Sequence, residues 1–227
     1  MGMTLLLVRH CEAEGNVKRV FQGWTDSDVT ENGRRQLELL AERCRDIPLD
    51  AVYSSPLKRA METAKAVNRY HHLPIITDQR LKEIHIGELE GIRFADFPME
   101  YPLEAQNWSN APHLFQAPGG ESMAQVFARM REALTEIIEK NEGKTVALCS
   151  HGCAIRNALC WLKGWPLEQI HEVEWCSNTA ISMVKLEPGK PAQFVLENDC
   201  THIPADMNVM SLQSWWKKEN REKNRFD

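Results

Sequence analysis

The order of segments predicts an α/β fold: a three-layer αβα sandwich with a mostly parallel central sheet and a small insertion over its C-terminal edge. Three observations carry that expectation. Short apolar runs suited to buried strands alternate with segments of helical period. The junctions between them are tight, and several runs end in polar residues, as strands do at the carboxyl edge of an open sheet. With 227 residues the chain can bury one full core, so a single domain over 1–227 is expected, with an insertion at 92–118 and a charged tail at 217–227.

Thr4 to Val8 is nearly all apolar and reads as a central strand. Thr30 is placed as an N-cap, with Leu37, Leu40, Ala41 and Cys44 at helical spacing before Pro48. Ala51 to Ser54 is a second strand. Ser55 and Pro56 then read as N-cap and first residue of a helix through Tyr70, with Ala60, Ala64 and Val67 on one face. A brief apolar run surrounds Ile75 and Ile76. The insertion holds Pro98, Pro102, Pro112 and Pro118 without a long period, so loops with one or two short helices are expected.

Ser122 and Gln125 form a capping-box pattern ahead of the amphipathic run Val126, Phe127, Met130, Leu134, Ile137 and Ile138. Lys144 to Ser150 is a further strand, and a helix bearing Ile155, Leu159 and Leu162 follows Gly152. Thr179 to Leu186 and Ala192 to Leu196 read as late strands joined by a turn at Glu187-Pro188-Gly189-Lys190. Trp215 and Trp216 are expected to pack on the body, ahead of a solvated run from Lys217 to Arg225.

Lys and Arg total 27 against 32 Asp and Glu, a net charge of −5, which argues against global attraction to nucleic acid or an anionic membrane. With no leader-like or membrane-length apolar stretch, a soluble cytoplasmic protein is expected. The seven cysteines form no CxxC pair and read as small apolar fillers. Cys149 and Cys153 flank His151, but no second pair supports a metal centre, so neither metal nor cofactor is expected.

Polar groups at strand ends and helix starts form the candidate site: Arg9 and His10, Arg59, Glu83, and His151 with Gly152. A guanidinium stays charged and matches two phosphoryl oxygens. An imidazole with one ring nitrogen held unprotonated can attack phosphorus, giving a phosphohistidine, and a carboxyl can protonate the leaving oxygen and then activate water. Gly152 lets the backbone approach an anion. Plainer readings stand beside these: Arg59 could lie along the surface, and Glu83 could pair with Lys82.

The run Leu7-Val8-Arg9-His10-Cys11-Glu12-Ala13-Glu14-Gly15-Asn16 resembles the signature of the histidine phosphatase superfamily, the phosphoglycerate mutase-like proteins. Further blocks resemble that family in order: Phe21 to Asp26, Tyr53 to Ala60, Leu81-Lys82-Glu83 with Gly87 and Glu90-Gly91, Pro118 to Ser122, Ser150-His151-Gly152, and Asn198-Asp199 with His202. The resemblance implies His10 as nucleophile, Glu83 as proton donor, and Arg9, Arg59 and His151 as the rest of the phosphate pocket. Asn16 would be an accessory phosphate contact, while Gln22, Gly23 and the insertion would meet the rest of the substrate.

Cys11 stands where the family has glycine, which raises crowding of the pocket floor and oxidation of a thiol activated by Arg9. Ala13 replaces a common threonine. The short insertion resembles that of phosphatases such as α-ribazole phosphatase and the broad-specificity members. A metal-independent hydrolase of a small phosphorylated metabolite, α-ribazole phosphate among the candidates, is the expected function. A phosphoglycerate mutase and a catalytically weakened phospho-ligand binding protein are the alternatives, and a homodimer is left open. Phe94, Phe97, Tyr101, Trp108 and Phe115 are expected mainly to pack the insertion on the body.

Overall fold

The computed structural model describes residues 2–207. Its strands are β1 (Met3–Arg9), β2 (Ala51–Ser54), β3 (Ile75–Thr77), β4 (Thr145–Ser150), β5 (Ile181–Leu186) and β6 (Gln193–Asp199). Its α-helices are α1 (Glu14–Lys18), α2 (Glu31–Cys44), α3 (Lys58–Val67), α4 (Phe97–Glu100), α5 (Pro102–Asn110), α6 (Met123–Lys140) and α7 (Gly152–Leu162). The six strands form one sheet in the order β3-β2-β4-β1-β5-β6. The pairs β3/β2, β2/β4 and β4/β1 are parallel, and β1/β5 and β5/β6 are antiparallel. The sheet is therefore mostly parallel, with β1 inside it as its apolar sequence predicts.

Alternation along the inner strands separates two cores, because successive side chains leave opposite faces of a sheet. Leu6, Val8, Val52, Ala147 and Cys149 pack with Leu37, Leu40, Ala41 and Cys44 of α2 and Ala64 and Val67 of α3. Leu5, Leu7, Tyr53, Val146 and Leu148 pack with Met130, Leu134 and Ile137 of α6 and Ile155 and Leu159 of α7. Cys149 and Cys153 belong to opposite cores, so they do not converge on His151. Helices thus cover both faces, and the strand ends stay open to the insertion.

Side-chain caps fix the starts of the two longest helices, α2 and α6. Thr30 caps α2 by accepting from the Gly33 N–H at 2.9 Å. At α6, Ser122 Oγ accepts from Gln125 N at 3.1 Å while Gln125 Oε1 accepts from Ser122 N at 2.7 Å. The helix after β2 departs from expectation: it begins at Lys58, with Leu57 as its cap, and ends at Val67 rather than Tyr70. The Ser55 hydroxyl accepts from the Leu57 amide at 3.3 Å as an N-cap would, and also bonds His151 Nε2 at 2.7 Å, but Leu57 is itself extended, with φ −66° and ψ 138°, so no helix can begin before it. The turn delays the helix by two residues.

The insertion is made of α4, α5 and a 3-10 turn at Pro112–Leu114. Phe97 and Phe115 are buried, and Phe94, Tyr101 and Trp108 pack on the same core. Among the described residues no helix is long and apolar enough to cross a membrane. The expectations for Trp215, Trp216 and the charged run from Lys217 fall outside the described residues.

Candidate active site

Three neighbouring parallel strands build the site. Arg9 of β1 is in register with Ser150 of β4, and Cys149 of β4 with Ser54 of β2. One step beyond Arg9 and Ser150, the carboxyl ends of β1 and β4 therefore present His10 and His151 side by side, while Ser55 at the end of β2 lies level with Ser150 and bonds the His151 ring. Arg59 follows on the first turn of α3. Glu83 arrives from beyond β3, in an irregular stretch after the 3-10 turn Gln79–Leu81. All of these side chains are buried or nearly so.

His10 Nδ1 lies 2.7 Å from the Cys11 carbonyl, a bond that assigns the proton to Nδ1 and leaves the Nε2 lone pair for the cavity. The His10 and His151 ring centroids are 5.2 Å apart. Burial pushes both imidazoles well below the usual histidine range, with the Arg59 charge adding to the effect in each case. Both rings are thus neutral at neutral pH.

The linkage has a definite sign. Below the ordinary histidine pKa of about 6.5 the unfolded chain takes up protons that the folded one refuses, so stability falls as pH falls. The two rings together are expected to cost about 3 kcal/mol per pH unit across that window, read from unfolding midpoints between neutral and acidic pH. Replacing either ring with asparagine should roughly halve the slope, and an unchanged slope would show that these rings do not titrate on unfolding.

The cations are held by backbone. Arg9 Nη1 donates to the Cys176 carbonyl, and Arg59 donates from Nη1 to the Thr25 carbonyl and from Nη2 to that of Gly23, each at 2.9 Å. The Gly23–Thr25 loop is in turn tied to Glu90, whose carboxylate accepts from the Gly23, Trp24 and Thr25 amides at 3.2, 2.6 and 3.3 Å. A side chain at Gly23 would run into the Ile84 carbonyl, Ile86 and Glu90, each 2.6 Å from an added Cβ. Gly23 therefore stands behind Arg59. Arg9 Nε, Arg59 Nε and His151 Nδ1 are buried without a hydrogen-bond partner.

Glu83 sits at the start of α7, where Oε1 accepts from Ala154 N and Oε2 from Cys153 N, each at 3.1 Å. Its Oε1 also accepts from Ile84 N at 2.9 Å. It makes no pair with Lys82, whose ammonium lies 4.0 Å from the Trp24 ring centroid. The helix N-terminus expected to meet an anion directly thus gives these two amides to a carboxylate. A Cβ at Gly152 would lie 3.4 Å from the Trp175 ring and 3.5 Å from Arg9 Nε.

Arg9, His10, Asn16, Gln22, Glu83 and Gly152 line one cavity of about 80 Å³. Asn16 Oδ1 accepts from Ala13 N at 3.0 Å. The Gln22 carboxamide lies over that turn, its oxygen accepting from Gly15 and Asn16 N–H at 2.9 Å each. The rest of the lining is apolar: Val20, Phe21, Ile84, Ile86, Phe94, Cys153, Trp108 and Trp175. Phe94 and Trp108 therefore serve the cavity as well as the insertion. A larger groove of about 1010 Å³ lies away from these groups, around Trp161, Trp165 and Phe194.

Cys11 differs from expectation. Its backbone has no positive φ, and its fully buried side chain belongs to the core under α2 and α3. Burial pushes its thiol up to about 12, opposite to the activation expected from Arg9. Ser55, Glu90 and Trp175 join the site; Ser55 and Glu90 lie in segments that resemble the family, though neither was given a role there, and Trp175 was not singled out.

The family model described as Histidine phosphatase superfamily (branch 1) matches residues 5–199. Phosphoserine phosphatase 1 of Hydrogenobacter thermophilus is 33% identical over 196 residues, covering 86% of this chain and 92% of that protein. A probable phosphoglycerate mutase of Yersinia pestis is 35% identical over 205 residues, covering 88% of this chain and 95% of its own. The solved structure of Bacillus stearothermophilus YhfR is 34% identical, with a TM-score of 0.83 over 89% of this chain and 100% of that one.

Proposed function

The chain belongs to the histidine phosphatase superfamily, and we propose that it hydrolyses phosphomonoesters of small, uncharged, largely apolar alcohols through a phosphohistidine on His10. The observation that carries the reading is His10, its Nε2 left free in a cavity shared with Arg9, together with buried nitrogens on Arg9, Arg59 and His151 that lack protein partners, although Arg59 and His151 do not themselves line that cavity. A phosphoryl group supplies oxygens for such nitrogens, and buried polar groups are normally satisfied. Nε2 attacks phosphorus as the ester P–O bond breaks, and the Glu83 carboxyl gives its proton to the departing oxygen. Water then attacks the phosphohistidine, Glu83 takes the proton, and phosphate leaves with His10 restored. Asn16 and Gln22 line the same cavity, and no step draws on a metal or cofactor.

The apolar lining bears on the alcohol. A phosphoserine or phosphoglycerate brings a carboxylate, which needs a cation beyond those that hold the phosphoryl group. Arg9 is the cation in this lining; beside it stand His10, Asn16, Gln22, Glu83, Gly152 and Cys153, and the other residues are aromatic and aliphatic. An ester with an aromatic alcohol portion fits better, α-ribazole phosphate being one member of that class. A mutase would also have to hold a second phosphate, which the same lining disfavours.

The test is release of inorganic phosphate from benzyl phosphate, α-ribazole phosphate, phosphoserine and 3-phosphoglycerate. The aromatic esters are expected to lead in kcat/KM by about tenfold or more, roughly the discrimination a pocket of this kind gives. Faster turnover of phosphoserine would overturn the assignment of the alcohol. Isomerisation of 3-phosphoglycerate outrunning phosphate release would point to the mutase. Phosphate binding without any turnover would leave a binding protein.

A further inference from the structure

Glu83 reaches the site from an irregular stretch of chain: its carboxyl is held by the Cys153, Ala154 and Ile84 amides, and the backbone that carries it is held from outside the cavity. Arg129, on α6, does this with all five of its N–H donors. Nε and Nη2 bond Glu121 Oε1 and Oε2 at 2.8 and 3.0 Å. Nη1 donates to the carbonyls of Arg80 and Lys82 at 2.6 and 2.8 Å, and Nη2 also donates to that of Glu83 at 3.0 Å. Glu121 continues the grip, accepting from His85 N at 2.8 Å and donating its own N–H to the His85 carbonyl at 2.7 Å. From the other side Trp24 Nε1 donates to the Glu83 carbonyl at 2.9 Å.

We propose that Arg129 and Glu121 form a positioning pair that aims the Glu83 carboxyl and thereby controls protonation of the leaving oxygen. The proposal rests on the reading of Glu83 as the acid. The pair is largely shielded, with side chains 15% and 20% exposed, and shielded ion pairs contribute little net stability over apolar packing. A planar guanidinium instead imposes geometry, here on three carbonyls within four residues, and a lysine with three donors on a flexible stem cannot reproduce it. Burial raises the Glu121 carboxyl, but the Arg129 hydrogen bond and charge outweigh this and hold it below the usual range. The pair therefore stays ionised.

A displacement of about 1 Å in a catalytic group can cost on the order of 100-fold, and here the loss should depend on the leaving group. The full chain and its Arg129→Lys, Glu121→Gln and Glu83→Gln variants are assayed on 2-phenylethyl phosphate, whose alkoxide must be protonated, and on p-nitrophenyl phosphate, whose phenolate departs unaided. The measure is kcat/KM, which reports steps through phosphohistidine formation and excludes its hydrolysis. Arg129→Lys is expected to lower kcat/KM by about 30-fold or more on the alkyl ester and less than about threefold on the aryl ester. Glu121→Gln, the milder change, should show the same selectivity if the first variant folds poorly.

Equal losses on the two esters, or none, in both variants overturn the proposal when Glu83→Gln is itself selective for the alkyl ester. Loss without selectivity in Glu83→Gln instead removes the acid assignment, and the positioning role with it.

Discussion

His10→Ala is expected to lower phosphate release by about four orders of magnitude or more, the scale seen when an attacking group is removed. No neighbour is placed to replace it. His151 holds Nε2 on the Ser55 hydroxyl, and Cys11 points into the core under α2 and α3 with its thiol raised to about 12. The chain should still fold, because His10 gives the fold one side-chain bond, to the adjacent Cys11 carbonyl. Acid-labile phosphate trapped on the wild-type protein by rapid denaturation should be absent from the variant. Turnover within about tenfold of wild type in a folded His10→Ala protein would eliminate the phosphohistidine route.

The second large effect concerns Arg59, a guanidinium only 1% exposed. Burial lowers its pKa, opposed by Glu83, Asp26 and Glu90, so its charge is held there by surrounding carboxylates and the loop carbonyls. Arg59→Met should reduce turnover by about a thousandfold, since a desolvated cation aimed at developing charge is worth several kcal/mol. It should also separate binding from folding. Phosphate at 100 times its Kd stabilises a protein by about 2.7 kcal/mol, so the wild-type unfolding midpoint should climb with added phosphate or vanadate. The variant should show little climb. An equal response in both proteins would remove Arg59 from the anion site.

Much of this arrangement was legible because strands end where their apolar runs end. Arg9-His10 and Ser150-His151 mark such ends, whereas the nearly all-apolar runs did not show how the sheet divides the core between its two faces. Adjacency was not legible: the runs alone do not say that β4 lies between β1 and β2, which brings the two imidazoles together. Ser55 misled because serine before proline is a common helix start, whereas Leu57 is extended and the Ser55 hydroxyl also serves His151, 96 residues away. Cys11 misled for a related reason, since the charge of Arg9 was visible in sequence and the core waiting for the thiol was not. Arg129 and Glu90 act through backbone carbonyls and amides of distant segments, and no periodicity records such bonds.

One consequence follows from His151 being the N-cap residue of α7 while Glu83 grips the next amides but one, at Cys153 and Ala154. The imidazole proposed to meet the anion and the carboxyl proposed to meet the alcohol are thus attached to the same end of one helix. A tilt or slide of α7 would carry both together, preserving their mutual spacing while changing their distance from His10. Substitutions at the far end of α7, around Leu159 and Leu162, are therefore expected to change kcat/KM for phosphate release as a lever does, without touching any group proposed to meet the substrate.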